Sequence, residues 1–73
     1  MTKNELQTII DDTNNLARMF YARLGYVGRS GFKFYESRHP TEVAMWDMAV
    51  LAQEVLVDID VNVALDLIEE NEE

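Results

Sequence analysis

The fold is decided by a long apolar stretch, VAMWDMAVLAQEVLV, which occupies residues 43–57. Its acidic residues are Asp47 and Glu54, and Asp58 follows the stretch directly. These three carboxylates are seven and four positions apart, so a helix would place them on one narrow polar stripe. A proline three positions upstream suits the first turn of that helix. We therefore predict a helix over residues 40–58 whose apolar surface is too wide to be buried on one side only.

A second helix is predicted upstream, over residues 3–24. Thr2 and Glu5 match the capping box, in which each side chain satisfies a free amide at the helix start. Apolar residues then recur at three- and four-residue spacing along the segment, as they do on one face of a helix. Gly25 is well placed to end this helix because glycine adopts the left-handed conformation of a helix terminus.

The connection over residues 25–39 has a different composition, with three glycines within seven positions. The segment from Phe32 to Glu36 has strand-like propensity, and Tyr26–Val27 could pair with it across a turn. Two such short strands would be marginal without further support. The sequence leaves two structures open here, a short β-hairpin and an extended, packed aromatic loop.

The C-terminal part also has two readings. Residues 57–63 alternate in polarity like a strand, whereas the apolar residues after position 60 are spaced like a helix. Asp60 is a favourable residue at a helix N-cap, so we predict a short third helix over residues 60–70. Residues 71–73 are expected to form a frayed acidic tail. The predicted fold class is mainly α, a small three-helix domain over residues 1–73.

Length and composition limit the function. The chain has 73 residues, a net charge of −8 and no cysteine. A core of this size seldom supplies more than about 3–5 kcal/mol, and disulfides and thiolate metal sites are excluded. Extra stability is therefore expected from self-association, as in a homodimer, or from a protein partner. No apolar run reaches the roughly 20 residues needed to cross a bilayer, so we expect no membrane partner and a cytoplasmic protein.

The charges are divided unevenly along the chain. All six basic residues lie between Lys3 and Arg38, whereas residues 39–73 carry ten carboxylates and no Lys or Arg. One interpretation is solubility, which net charge provides by itself. The sharper interpretation is that carboxylates imitate phosphates and dock on a protein with a basic surface. The candidate acidic surface comprises Asp47, Glu54, Asp58, Asp60, Asp66, Glu69 and Glu70.

Two further candidate sites have simpler structural explanations. Met45, Trp46 and Met48 would form an apolar interface if they were exposed, but residues of these types more often belong to a core. A basic and aromatic segment suits the stacking of single-stranded nucleic acid; its members are Arg29, Phe32, Lys33, Tyr35 and Arg38. We favour a core role for its aromatic residues because the overall negative charge disfavours nucleic acid as a partner.

No motif predicts catalysis, a cofactor or a metal site. The segment 58–69 resembles the calcium-binding loop of EF-hand proteins, but Val63 stands where the sharp turn requires glycine. The segment 17–26, ARMFYARLGY, resembles a helix-to-strand segment of a family of acetyl-CoA-dependent N-acetyltransferases. That family's pyrophosphate-binding loop has no match here, and the chain has about half the length that such an enzyme needs. We therefore expect a protein that is not an enzyme.

Size, acidity and the lack of cysteine make the chain similar to small accessory proteins of bacteriophages, including anti-restriction and anti-CRISPR proteins. This resemblance implies an acidic inhibitor or regulator of a nucleic-acid-handling protein, acting in the cytoplasm of a bacterial host. The alternative is a homo-oligomeric structural or assembly module, in which the apolar helix over residues 40–58 would pack against its own copy. Single-stranded nucleic-acid binding through residues 29–38 is the weaker alternative.

Overall fold

The computed structural model describes residues 2–29 and 31–71 and contains three α-helices within them. The helices are α1 (Lys3–Arg23), α2 (Pro40–Val57) and α3 (Val61–Asn71), and a single 3₁₀ turn (Phe34–Glu36) lies between α1 and α2. The predicted three-helix fold is confirmed, and no predicted helix end differs from the observed one by more than one residue. Of the predicted tail, residues 72 and 73 lie outside the described part of the chain.

Local capping interactions set both ends of α1. The Glu5 amide donates to Thr2 Oγ1 at 3.2 Å, and the Thr2 amide donates to Glu5 Oε1 at 3.3 Å, which completes the predicted capping box. At the other end Gly25 has φ +92°, a conformation that favours glycine. Its amide donates to the Ala22 carbonyl, and the next amide donates to the Tyr21 carbonyl. This is the Schellman pattern that satisfies the last carbonyl groups of a helix.

The start of α3 also follows the prediction from the sequence. Asp60 Oδ1 accepts a hydrogen bond from the Val63 amide at 3.2 Å, which is the N-cap interaction expected of an aspartate at this position. Residues 57–63 therefore do not form a strand despite their alternating polarity. The helix that forms instead is capped in its first turn, and it buries its apolar residues Val61, Ala64 and Ile68.

The core is built around α1, which packs against both α2 and α3. Ala17 on α1 and Ala49 on α2 are both fully buried. The buried apolar residues come from all three helices and the connection: Leu6, Ile10, Ala17, Phe34, Met45, Trp46, Ala49, Val61, Ala64 and Ile68. The core is small, as expected for a domain of this length.

Two polar contacts fix α2 in an antiparallel arrangement along α1. Thr13 is fully buried, and its hydroxyl donates to the Ile9 carbonyl at 2.6 Å while it accepts from Gln53 Nε2 at 3.2 Å. Near the other end of α2, the Tyr21 hydroxyl donates to Glu42 Oε2 at 3.2 Å. Partial burial and then the adjacent Glu42 carboxylate raise the pKa of the Tyr21 phenol.

The connection is a packed aromatic loop, and residues 2–29 and 31–71 contain no β-strand. Phe34 is buried against the rings of Tyr21 and Phe32, with centroid distances of 5.4 and 4.9 Å. Val27, half of the strand pair that the sequence left open, is instead 92% exposed. Of the two predicted alternatives, the aromatic loop is the one that forms.

The side chain of Asn14 explains why this loop needs no second strand. Its Nδ2 donates to the Phe32 carbonyl at 2.8 Å, and its Oδ1 accepts from the Phe34 amide at 2.7 Å. The carboxamide thus satisfies one carbonyl and one amide, as a neighbouring strand would do. Arg18, one turn further along α1, donates to the carbonyl oxygens of Arg29 and Phe32 at 3.4 Å. These two α1 side chains hold the connection in place.

None of the helices in residues 2–29 and 31–71 combines the length and the apolar character that crossing a membrane requires.

Candidate protein-binding surface

An exposed apolar feature lies on α2, on the side that faces away from α1. Ala44, Met48, Leu51 and Val55 are spaced by four, three and four residues, so they form one stripe along the helix. All four are exposed, and the exposed fractions of Leu51 and Val55 are 59% and 71%. We call this the outer stripe of α2. It extends over about 17 Å, at 1.5 Å per residue.

The outer stripe has the spacing of a coiled-coil seam. In a heptad, Met48 and Val55 would take the a positions, and Ala44 and Leu51 the d positions. Such a seam normally packs into the seam of another helix. No described part of this chain covers the outer stripe. Helix α1 contacts the opposite side of α2, through Gln53 and the buried residues of the core.

One flank of the outer stripe is acidic. Asp47 and Glu54 precede the two a-type residues and would take the g positions of the heptad, and Asp58 directly follows the last turn of α2. All three side chains are exposed. Within the described residues Lys33 and Glu36 form an ion pair at 3.8 Å, and none of these three carboxylates takes part in one. On the opposite flank Met45 is buried and Ala52 is half-buried, so that side of the stripe borders the core. The helix therefore presents an apolar seam with charge of one sign on one side.

Asp58 also ends α2. Its φ of 57° lies in the left-handed region, and Asp58 is the one residue other than glycine with positive φ in the described chain. The amides of Asp58 and Ile59 both donate to the Gln53 carbonyl. Glycine is usual in this position, whereas aspartate is tolerated at some cost. The acidic side chain therefore stands at a helix end where the backbone conformation would favour glycine.

The other predicted acidic residues are also exposed but do not all join this flank. Asp60 lies at the junction between α2 and α3. Asp66 and Glu70 are four residues apart and share one outward face of α3. Glu69 instead lines a cleft with Lys33 and Tyr35 from the connection. The seven predicted carboxylates are thus distributed over at least three sites, of which the α2 flank is the longest.

A second apolar feature is a groove of about 250 Å³ beside the junction of α2 and α3. We call it the junction groove. Asp58 and Asp60 line it together with apolar side chains from α1, the junction and α3: Leu6, Ile9, Ile59, Val63, Ala64 and Leu67. It therefore combines apolar lining with carboxylates, as the outer stripe of α2 does, but it is short and concave.

The predicted apolar interface is divided between core and surface. Met45 and Trp46 are 5% and 7% exposed, and Trp46 packs on the Tyr35 ring with a centroid distance of 5.2 Å. These two side chains belong to the core, so they are not available to anchor a partner. Met48 is exposed and forms part of the outer stripe.

The basic and aromatic segment 29–38 uses its rings for packing. Phe32 and Tyr35 are half-buried against other aromatic side chains. The Arg29 guanidinium lies 5.9 Å from the Phe32 centroid, and Lys33 pairs with Glu36. Arg38 is exposed. The Arg29 guanidinium thus partly covers the ring face of Phe32 on which a nucleic-acid base would stack. A cation–π contact of this kind leaves the guanidinium itself accessible.

No group of three or more His, Asp or Glu side chains converges as a metal site within the part of the chain that the structure describes. The segment that resembles a calcium loop is instead a helix terminus followed by a capped helix. Asp58 ends α2 through its left-handed backbone, whereas the Asp60 carboxylate caps the start of α3.

Comparisons with other proteins give no relative: no protein-family model matches the chain, and no curated protein or solved structure is significantly similar to it.

The sequence does not identify Leu51, Val55 and Ala44 as surface residues, because the direction of the core cannot be read from a helix that is apolar all round. Nor does it identify Asn14 and Arg18 as the residues that hold the connection. A signal for Asn14 was present: asparagine favours capping and turns over the interior of a helix, so its mid-helix position indicates a specific contact.

Proposed function

We propose that this chain is a small acidic protein-binding module that docks on the basic surface of a nucleic-acid-handling protein and inhibits or regulates it. The observation that carries the proposal is the acidic flank of α2, Asp47, Glu54 and Asp58, beside an exposed apolar stripe. Apolar contact supplies affinity in such a surface, and the charges supply orientation and choice of partner.

Charge distribution supports a basic partner. Neither α2 nor α3 contains a Lys or Arg, so nothing within these helices neutralises their carboxylates. Exposed charges of one sign attract an oppositely charged protein over about 10 Å at moderate ionic strength. A row of carboxylates along a helix also competes for the basic residues that contact phosphates. The same charges would keep the protein away from nucleic acid itself.

The test is affinity capture from cells in which the protein occurs, at about 50 mM and about 500 mM salt, because screening weakens surface electrostatics. We expect basic nucleic-acid-binding proteins to be captured at low salt and released at high salt or by added duplex DNA. The captured protein, once purified, should bind its nucleic acid less tightly in the presence of this chain.

A matched pair of variants provides the control. Asp47→Asn with Glu54→Gln and Asp11→Asn with Asp12→Asn change the net charge equally, but only the first pair alters the α2 flank. Capture should fall for the first pair and stay close to wild type for the second. Capture of proteins that are not basic would contradict the proposal. So would an amount of captured protein that changes neither with salt nor with either pair of substitutions.

A homo-oligomeric module is the second candidate function, and the exposed outer stripe of α2 is the observation that favours it. In that case Leu51 and Val55 would be buried against a second copy. Sedimentation equilibrium over a range of protein concentrations distinguishes the homo-oligomeric module from the binding module. A monomer throughout the micromolar range would remove this candidate, whereas a dimer that Leu51→Gln dissociates would establish it.

A further inference from the structure

We infer that the outer stripe of α2 binds an amphipathic α-helix of the partner, one whose apolar seam is flanked by Lys or Arg on a single side. This inference rests on the proposed function and specifies the partner's chemistry. The site consists of the apolar seam Ala44, Met48, Leu51 and Val55 with the acidic flank Asp47, Glu54 and Asp58.

The spacing of the seam selects a helix as the occupant. Residues at a and d positions over nearly two heptads leave holes into which side chains of a facing helix fit. An extended peptide would add to a strand edge instead, and the described residues contain no strand to which it could add. The seam is also convex, so it offers no enclosed pocket to a small molecule, which needs concave surroundings.

The acidic flank determines the charge of the partner helix. Asp47 and Glu54 take g positions, and such positions form interhelical ion pairs that select partner and orientation. On the other flank the corresponding e positions are Met45 and Ala52, which turn toward the core. Cations are therefore needed on one side of the partner seam only. A helix with Lys or Arg on one flank and small or apolar residues on the other is complementary.

Charge also argues against a second copy in this site. An antiparallel pair of α2 helices would bring g positions opposite g positions, so Asp47 and Glu54 would face carboxylates. A parallel pair would bring them opposite e positions, where this chain has no cation. Each copy carries a net charge of −8, which adds repulsion between copies. A basic helix in this site would have neither the like-charge contacts at the g positions nor the net repulsion between copies.

Synthetic helical peptides test the inference directly. The probe is a labelled peptide of about 18 residues, the length of α2, with Leu at the a and d positions and Lys on one flank. A second peptide carries Glu in place of Lys, and a third carries Gln in place of Leu. Fluorescence anisotropy should show binding of the first with a Kd of roughly 1–100 µM and binding of the other two at least about tenfold weaker.

Variants of the protein locate the peptide. Leu51→Gln with Val55→Gln should weaken binding about tenfold or more, because it removes the centre of the seam. Met19→Gln is the control, since Met19 is exposed to a similar extent on α1, and it should change the Kd less than about twofold. Circular dichroism of each variant checks that the helices remain, as expected for substitutions at exposed positions.

The outcomes separate this inference from the proposed function. Salt-dependent capture of a basic protein that persists in the Leu51→Gln with Val55→Gln variant would overturn the inference and leave the proposed function standing. Equal binding of the Lys and Glu peptides, or no binding of the Lys peptide at about 100 µM, would also overturn it. Failure of the wild-type protein to capture any basic protein in a salt-dependent way would contradict the proposed function. A dimer dissociated by Leu51→Gln would assign the site to a second copy.

Discussion

The helices α1 and α2 have similar lengths, 21 and 18 residues, but they use their apolar residues differently. On α1 the buried face is apolar, with Leu6 and Ile10 in the core, and the outward face is mainly polar. On α2 both faces are apolar, and only one of them is covered. The fold buries Met45, Trp46 and Ala49 on the inner side of α2 but leaves the outer stripe without a packing role.

This difference indicates which surface the fold does not explain. Scattered exposed apolar residues are normal on a protein surface, and Met19 on α1 is one of them. A continuous seam with a charged flank is different, because large exposed apolar patches commonly mark interaction sites. This contrast predicts that the inner face of α1 is needed for folding and the outer stripe of α2 for binding.

The largest expected effect contrasts two aliphatic residues, Ile10 on the inner face of α1 and Leu51 on the outer stripe. Ile10→Ala should lower the free energy of unfolding by about 2–5 kcal/mol, since it leaves a cavity in the core. Leu51→Ala should change it by less than about 0.5 kcal/mol. Urea denaturation followed by circular dichroism measures both. A cost above about 2 kcal/mol for Leu51→Ala would mean that this side chain is buried in the free protein.

A smaller effect is expected where α1 holds the connection. Asn14→Ala should lower the free energy of unfolding by about 1–3 kcal/mol, because the Phe34 amide loses its partner and the Phe32 carbonyl keeps only the longer contact with Arg18. Asn15→Ala makes the same change in helix propensity at an exposed neighbouring position and should have little effect. Equal denaturation midpoints for the two variants would show that the carboxamide contacts do not stabilise the fold.

A smaller change in stability, of opposite sign, is expected at the end of α2. Asp58→Gly should raise the free energy of unfolding by about 1 kcal/mol or less, since glycine accepts the left-handed conformation better. Asp58→Asn makes the same change in charge while asparagine still tolerates that conformation. Both variants should weaken binding of the Lys peptide about equally. Unchanged binding in both would remove Asp58 from the proposed site.

The helices could be predicted because their ends are coded locally. The Thr2–Glu5 pair, Gly25, Pro40 and Asp60 each act through contacts within a few residues, and these contacts are largely independent of the tertiary structure. The connection could not be predicted in the same way. Its conformation depends on Asn14 and Arg18, which are 18 and 11 residues away from the carbonyls that they contact.

The candidate site was predicted only in part, and the reason is geometric. The acidic positions of α2 could be placed on one stripe from their spacing alone. Which apolar residues accompany them depended on where α1 packs, and α2 offers apolar side chains in every direction. The sequence therefore favoured Met45 and Trp46, which the core takes, over Leu51 and Val55, which remain outside.

The most direct test of the central claim is to map the bound Lys peptide on the ¹⁵N-labelled protein by amide chemical shifts. The claim is that the outer side of α2, unlike that of α1, is a binding surface for a basic helix. It predicts that the largest shift changes lie within residues 44–58, with small changes on the outward positions of α1 such as Asn15 and Met19. Changes concentrated on α1, in the connection 29–38 or in the junction groove would contradict it.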